Sequence, residues 1–432
     1  MHDTDHLTYC LAGECLADVC LARGEACVHG ACVDGGCACD DGWCGNMCER
    51  HTPWTVAVFG GNHYGAAQCS RSNPSCVDNT VERYDTAQMS WSSVGTITYR
   101  DWPAAAFLDG KIYITGGQPP QGENLRSVEV FDISTDTWSN GPDMGSARYY
   151  HSAASMGGKI YVIGGVPFVE GVWQGDSVEV LNPNLGSWVV VPPLPTARYM
   201  SAVVAVGATL FVIGGAEGSQ SFGHRGVFAV METYLDGAAG WDPAPPPPIA
   251  SFGSSAAVLN QCIFVVGGYN REGDGPGHPL DSLQKYDIVA ASWSTLSAMP
   301  TARHGLAAVA IRSTILAIGG GAATSVATVE EFDPVTNSWS SVSALPTPRR
   351  RLAAVAWRND ACTSSCGVHG TCTTDGACAC DNGWGGEHCE ISSSSGRRAL
   401  SEHTAVAPLK CEDEQSSQHD CSLTTVRDAG AK

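Results

Sequence analysis

The amino-acid sequence predicts an all-β fold in which a sixfold repeat lies between two disulfide-rich segments. Of the 20 cysteines, nine lie between Cys10 and Cys48, and eight lie between Cys362 and Cys421. Between these clusters, an apolar β-branched run ending in Gly-Gly recurs six times. The 50 glycines among 432 residues favour tight turns over long helices, as expected for a chain of short strands.

The repeat is defined by its double glycines, which are Gly60-Gly61, Gly116-Gly117, Gly164-Gly165, Gly214-Gly215, Gly267-Gly268 and Gly319-Gly320. They are spaced by 56, 48, 50, 53 and 52 residues. Each is followed by an acidic or polar strand and then by a tryptophan, namely Trp91, Trp138, Trp188, Trp241, Trp293 and Trp339. This pattern resembles the kelch repeat, which implies one four-stranded propeller blade per repeat. We therefore predict a six-bladed kelch β-propeller over residues 53–357.

The order of strands predicts how the ring closes. In each repeat, strand A follows a Pro-rich turn, strand B ends in Gly-Gly, strand C carries the aromatic residue and strand D carries the tryptophan. The first repeat begins at strand B, from Trp54 to Phe59, and the last strand A, from Leu352 to Trp357, has no strand B after it. We expect these two strands to share a blade, which would close the propeller with a C-terminal strand and remove free sheet edges.

The two cysteine clusters share the order Cys-Val-His-Gly-Ala-Cys or Cys-Gly-Val-His-Gly-Thr-Cys, then Cys-Ala-Cys-Asp, then Gly-Trp, then Cys. This order resembles EGF-like modules, here predicted at residues 20–50 and 359–390. The resemblance implies the disulfides Cys20–Cys32, Cys27–Cys37, Cys39–Cys48, Cys362–Cys372, Cys366–Cys378 and Cys380–Cys389. Cys10, in the N-terminal segment 1–19, with Cys15 and Cys44, is extra to the pattern, and the pairing of these three cysteines stays open.

Two further disulfides are expected outside the modules. Cys69 and Cys76 would stiffen the long loop after Gly61, and Cys411 and Cys421 would close a loop in the flexible polar tail, residues 391–432. The order of module, propeller and module resembles the attractin and multiple-EGF-domain family, over roughly residues 20–390. That resemblance implies an extracellular or cell-surface adhesion or receptor segment.

Charge and cysteine content limit the partners and the compartment. The net charge of −20 argues against nucleic acid and anionic membranes as general partners, and no apolar run is long enough to span a membrane. Disulfide-rich segments require an oxidising compartment, so we expect an extracellular or cell-surface location. The residues at the start of the chain do not form a signal peptide. The sequence leaves the oligomeric state open.

A ligand-binding face is predicted where the D–A and B–C loops meet. The D–A loops contribute Arg148, Tyr149, His151, Arg198, Arg303, His304, Arg349 and Arg350, and the B–C loops contribute Asn62, His63, Asn270 and Arg271. Arginine binds carboxylates and sulfates in bidentate fashion, so a protein with an acidic segment or an acidic glycan is the expected ligand. The alternative is that these arginines are structural and bond neighbouring loop carbonyls.

A propeller enzyme is the competing hypothesis. Galactose-oxidase-like proteins need a cysteine cross-linked to a tyrosine, but Cys262 begins an apolar strand and reads as a small buried side chain. Nitrile-specifier proteins hold iron with Glu-x3-Asp-x3-His, whereas this chain has Asn270, Asp274 and His278 in those places. Sialic-acid mutarotases are six-bladed too, but they lack EGF-like flanks. We therefore predict a non-enzymatic binding module with no catalytic residue, metal ion or cofactor.

Overall fold

The computed structural model describes residues 54–63, 77–166, 174–218, 226–271 and 277–358 with their side chains. Outside these ranges it describes the backbone of short strands only. Two of these pairs occur in the predicted EGF-like modules, where Gly30–Val33 pairs with Gly36–Cys39 and Gly370–Cys372 pairs with Cys378–Cys380. Both hairpins place a cysteine opposite a cysteine, Cys32 facing Cys37 and Cys372 facing Cys378. The two modules therefore share a backbone register.

Between Trp54 and Arg358, the described residues include six four-stranded antiparallel sheets, each of which is one blade. In blades 1 to 6, strand A spans Ala353–Arg358, Ala104–Leu108, Ser152–Met156, Ala202–Val206, Ser255–Leu259 and Ala307–Ile311. Strand B spans Trp54–Phe59, Lys111–Thr115, Lys159–Ile163, Thr209–Ile213, Cys262–Val266 and Thr314–Ile318. Strand C spans Thr80–Asp85, Val128–Asp132, Val178–Asn182, Met231–Leu235, Leu283–Asp287 and Val329–Asp333. Strand D spans Ser90–Thr96, Thr137–Asn140, Ser187–Val191, Asp242–Ala244, Ser292–Thr295 and Ser338–Ser341.

The A strands form the inner wall of the ring. Strand A of every blade contacts strand A of both neighbouring blades, and the contacts run without a break from blade 1 through blade 6 and back to blade 1. Strand D is the outer edge of each sheet. The all-β, six-bladed fold predicted from the repeats is confirmed.

The predicted closure is also confirmed. Strand A of blade 1 comes from the C-terminal end of the propeller and pairs with strand B from its N-terminal end, with Ala353 opposite Phe59 and Arg358 opposite Trp54. Leu352 lies just before the strand and is buried in the same blade. The chain therefore enters and leaves the propeller at two paired residues.

Packing between blades uses the repeated tryptophans. In five of the six blades the tryptophan of strand D lies 5.0–5.1 Å from an aromatic ring of strand C, as Trp91 does from Tyr84. Five tryptophans also donate their indole N–H to a backbone carbonyl of the D–A connection that precedes their own blade, as Trp188 does to Pro142 at 2.8 Å. The tryptophans thus join apolar packing to a directional bond between neighbouring blades.

Cys262 begins strand B of blade 5, where it is buried against Phe264, Leu283 and their neighbours as a free thiol. This agrees with the expected role of a small apolar side chain. The other predicted cysteine pairs, Cys69–Cys76 among them, lie outside the residues whose side chains are described. In the described part of the chain, no helix is long and apolar enough to cross a membrane.

Candidate binding face

Each D–A turn is held by main-chain contact with a double glycine. In the second blade, Gly117 donates its N–H to the carbonyl of Arg148 at 2.9 Å, and the other five double glycines make the equivalent bond. Gly116 has a φ of +55°, and a Cβ there would lie 2.4 Å from the same carbonyl oxygen. The close approach of the turn is therefore possible only because the strand ends in glycine.

The arginine side chains of the D–A turns point into the protein. Arg100, Arg148, Arg198, Arg303 and Arg349 are all 0% exposed. Each donates to the carbonyl of the first glycine in the blade that follows its turn, as Arg148 does to Gly164 at 3.0 Å. Since the backbone of Arg148 bonds the preceding blade, one residue bridges two neighbouring blades.

A glutamate near the start of strand C neutralises each of these arginines. The pairs are Arg100–Glu129 and Arg303–Glu330, both at 2.8 Å, Arg148–Glu179, Arg198–Glu232, and Arg349 with both Glu82 at 2.8 Å and Asp78 at 3.0 Å. Burial lowers the pKa of Arg148, and the carboxylate of Glu179 opposes that shift. Glu179 also accepts bonds from the backbone N–H groups of Gly145 and Ser146, so every charge has several partners.

The turn before blade 5 supplies an internal control for this arrangement. There Ser251 replaces the arginine, and Gln284 replaces the glutamate. Like Glu179, Gln284 accepts a hydrogen bond from the backbone of the preceding D–A turn. Its Oε1 accepts the N–H of Ile249 at 2.9 Å. Both charges are lost together, as expected when either one alone would be buried without a counter-charge. We refer to the five charged pairs as the inter-blade locks.

Arg148, Arg198, Arg303 and Arg349, which were predicted to contact a ligand, therefore have their side chains in the protein interior and not on the surface of the face. Their guanidinium groups are buried and bond a glycine carbonyl and an acidic side chain in the inter-blade locks, which favours the structural alternative. Tyr149, His151, Asn62 and Asn270 are also buried. Of the twelve predicted face residues, the half-buried ones are His63, Arg271, His304 and Arg350. The joint replacement at Ser251 and Gln284 was the signal in the sequence that could have revealed the locks.

A ring of backbone hydrogen bonds surrounds the axis at this face. One residue per D–A turn has a φ between +53° and +63°: Trp102, Tyr150, Met200, Gly253, Gly305 and Arg351. Five of these residues donate their N–H to the carbonyl of the equivalent residue in an adjacent turn: Met200 to Tyr150, Gly253 to Met200, Gly305 to Gly253, Arg351 to Gly305 and Trp102 to Arg351. Four of the six are not glycine, so the ring holds strained backbone, of about 1 kcal/mol at each such residue.

The indole of Trp102 lies across the axis inside this ring. Its Cη2 atom would be 3.4 Å from a Cβ at Gly305 and 3.7 Å from one at Gly253, on the far side of the ring. Its ring centroid is 4.8 Å from that of Tyr150, and the guanidinium carbon of Arg351 lies 5.4 Å from it. The edge of the indole therefore lies at van der Waals distance from the position of a side chain at either glycine.

The rim of the face joins the two ends of the propeller through His63. Its Nδ1 is 2.7 Å from the carbonyl oxygen of Pro348, and its Nε2 is 3.2 Å from the carboxylate of Asp78. Both ring nitrogens face acceptors, so the arrangement favours the charged imidazolium. The hydrogen bond to Asp78 raises the pKa of His63, while burial and the charge of Arg349 oppose the rise.

Comparison with known proteins places the chain among repeat proteins. Residues 46–228 and 176–365 match the family described as "KLHDC2/KLHL20/DRC7 Kelch-repeats domain". The chain belongs to the kelch-repeat family. Residues 362–392 match the teneurin-like EGF domain, which confirms an EGF-like module after the kelch propeller. The kelch propeller is compatible with a protein-binding module.

Individual relatives are distant. The chain is 25% identical over 261 residues to the kelch-like protein terF of Aspergillus terreus, covering 57% of this chain and 55% of that protein. It is 36% identical over 90 residues to an F-box/kelch-repeat protein of Arabidopsis thaliana, covering 20% and 24%. The solved structure of YjhT aligns with a TM-score of 0.53 at 15% identity, covering 61% of this chain and 91% of that one. These comparisons support the fold, and the likeness to the attractin family is not confirmed by them.

The metal alternative gains no support from the geometry. Within the described ranges, no cluster of three or more His, Cys, Asp or Glu side chains is arranged to hold a metal ion. Asn270 is buried at the start of its loop, His278 is exposed, and Asp274 lies outside the described residues.

Breaking one inter-blade lock should destabilise the kelch propeller strongly. We expect Arg198→Ala to lower the free energy of unfolding by about 3–5 kcal/mol, because Glu232 would remain buried without a counter-charge. The double substitution R198S/E232Q copies the natural Ser251 and Gln284 pair and should recover most of that loss. Denaturant unfolding of the parent and both variants measures the difference. A double variant no more stable than Arg198→Ala would contradict the pairing.

The His63 contact should make stability depend on pH. The folded-state pKa of His63 is raised above its ordinary value of 6.5. Its contribution is therefore fully present below the unfolded pKa and is lost as pH rises through the folded pKa. We expect His63→Gln to lower the free energy of unfolding more at about pH 5.5 than at about pH 9. An equal loss at both pH values would show that the charge of His63 contributes nothing.

Proposed function

We propose that this chain is an extracellular or cell-surface binding module that holds an acidic segment of a protein, or an acidic glycan, on the D–A and B–C face of its kelch propeller. The face offers a sector of cationic side chains from blades 5, 6 and 1. We define this sector, the cationic rim, as His63, Arg271, His304, Arg350 and Arg351.

The run Arg349-Arg350-Arg351 shows how buried and accessible charges are separated. Arg349 belongs to an inter-blade lock, and Arg351 lies 3.2 Å from the carboxylate of Asp101. Arg350 is half-buried and contacts Asn62 Oδ1 and the carbonyl of Ala322, both at 3.4 Å. Because part of the Arg350 side chain is solvent-accessible, its guanidinium can offer paired donors to a carboxylate or sulfate on this face. This side chain is the observation that carries the proposal.

The two ends of the propeller lie at the end of blade 1 that is opposite the D–A turns. Strand B of blade 1 begins at Trp54, strand A of the same blade ends at Arg358, and these residues pair at the end of the sheet opposite the D–A turns. Both flanking segments therefore join the propeller on the face that carries the A–B and C–D turns.

The negative net charge of the protein opposes the binding of an acidic ligand, so the local positive charge of the rim must overcome this repulsion. A body with a net charge of −20 repels anions at long range, so binding must come from short-range contacts with the rim. The same repulsion weakens non-specific binding of anions elsewhere on the surface. A ligand with an acidic group on a neutral backbone fits this balance better than a densely charged polyanion.

The EGF-like module supports the proposed location. Modules of this size lack a core large enough to fold unaided and depend on disulfides, which persist in oxidising compartments. The cysteine-to-cysteine register shared by the two flanking hairpins supports the same chemistry at both ends of the chain.

Removing charge from the cationic rim should weaken an acidic ligand. We expect the double variant R350A/R271A to bind a fluorescent Glu-rich peptide, or a sulfated oligosaccharide, about tenfold more weakly than the parent at low salt. The control Arg312→Ala removes one arginine from an A–B turn on the opposite face and should bind as the parent does. Fluorescence anisotropy gives the affinities. Equal binding by the parent and the double variant would place the ligand elsewhere, and the two probes distinguish a peptide from a glycan.

The proposed location predicts the state of the cysteines. Protein secreted from a eukaryotic host should contain the disulfides Cys366–Cys378 and Cys69–Cys76, because the first is implied by the EGF-like pattern and the second closes a short loop. Peptide mapping without reduction identifies the linked peptides, and Cys262 serves as the internal control for a buried free thiol. Free thiols throughout both clusters would contradict the extracellular location.

A further inference from the structure

The outer edge of blade 3 carries an exposed apolar strand. Strand D of this blade, Ser187–Val191, is the last strand of its sheet, and no other strand of the described residues pairs with its outer side. Three of the nine exposed large apolar side chains in the described ranges lie in or just before it, since Leu185 is 74%, Val189 57% and Val190 78% exposed. An apolar strand at a sheet edge is a template for pairing with another chain.

The other five blades provide an internal comparison, because all six C–D pairs share one register. The residues equivalent to Val189 are Ser92, Ser139, Asp242, Ser294 and Ser340, and those equivalent to Val190 are Ser93, Asn140, Pro243, Thr295 and Ser341. Polar side chains and proline on an edge strand oppose pairing between sheets. Each of the other five edges therefore has this protection at both positions, whereas the edge of blade 3 has valine at both.

The backbone groups of Trp188 and Val190 point away from the blade. Gly164, just after strand B, donates its N–H to the carbonyl of Ser177 at 3.0 Å. Every second residue of strand C, counted from Ser177, therefore bonds strand B, and the residues between them bond strand D. Val189 pairs with one of the residues that bond strand D. The N–H and C=O groups of the two residues beside Val189 therefore face the open edge.

These outward groups are complementary to a second copy of themselves. When two copies of strand D lie antiparallel with Val189 opposite Val189, Trp188 of each copy lies opposite Val190 of the other. Both residues present an N–H and a C=O, so the two pairs form about four backbone hydrogen bonds around a two-fold axis. Pro192 follows the strand and has no N–H, which limits the pairing to this short stretch. We propose that a second copy of this chain pairs here, joining two copies of blade 3 into one eight-stranded sheet.

The distribution of charge favours a second copy at this edge. Two chains with a net charge of −20 repel each other, but residues 183–194 contain no charged side chain. In strand C beside them, the one charged residue is Glu179, which is buried and paired with Arg148. No like charges therefore meet at the contact. A contact limited to one strand is smaller than the roughly 1,200 Å² of a stable interface, so we expect a weak dimer, with a Kd on the order of 10–100 μM. The dimer uses a surface separate from the cationic rim and does not depend on the function proposed for it.

Sedimentation equilibrium of the full chain, from about 5 to about 500 μM, measures the dimer constant. The variant V189S/V190T copies Ser294 and Thr295 of blade 5 and should dimerise about tenfold more weakly than the parent, because the apolar contact is lost. The control V289S/V335T removes two exposed valines from C–D turns and should dimerise as the parent does. A parent that stays monomeric at every concentration would overturn the proposal and leave this edge to a strand of a different protein.

A second variant tests the backbone hydrogen bonds directly. Val190→Pro removes one outward N–H, and Pro243 already occupies the equivalent position in blade 4, so the blade should keep its fold. The variant should unfold at the same denaturant concentration as the parent but dimerise about tenfold more weakly. The dimer of the parent should become tighter as salt screens the repulsion between the two acidic copies, whereas an acidic ligand on the cationic rim should become weaker. An unchanged dimer constant in Val190→Pro would place the contact elsewhere and contradict the proposal.

Discussion

The buried arginine of the D–A turn is the constraint on which the rest of the propeller depends. Its backbone carbonyl bonds the double glycine of one blade, and its guanidinium bonds a glycine carbonyl and a glutamate of the next. Because these contacts use both the main chain and the side chain, one residue fixes the angle between two sheets. The double glycine, the glutamate of strand C and the arginine therefore act together to hold neighbouring blades in place.

This constraint also decides which charges remain for binding. Five arginines are held between blades, whereas Arg350, which follows the repeat position, belongs to the cationic rim. The same turns then bring Trp102, Tyr150 and Met200 over the axis in left-handed backbone conformation. The four turns with a non-glycine residue in this conformation each contain the arginine of an inter-blade lock, which holds the turn from both sides. The structural role and the proposed binding role thus fall to neighbouring residues of the same loop.

Much of the fold could be predicted from the sequence because each sequence repeat corresponds to one blade. Six double glycines give six blades, and a first strand B without a strand A before it gives the closure through Ala353–Arg358. The direction of the arginines could not be read in this way, since a turn position does not determine where a long side chain points. A cavity on the propeller axis was hidden for another reason. Alanine-rich A strands are visible in the sequence, but only the convergence of six of them at the axis makes a space of about 160 Å³.

The pairing of Trp54 with Arg358 has a mechanical consequence. These residues lie at the same end of two antiparallel strands, and the flanking segments continue from that end in both directions of the chain. Tension between the two flanks would load the hydrogen bonds of this pair one after another, as in opening a zipper, rather than all together in shear. Blade 1 is therefore the mechanically weakest blade of the ring for a pull between the flanks. Arg349 and His63, which join the two ends at the far side of the same blade, would be the last contacts to carry that load.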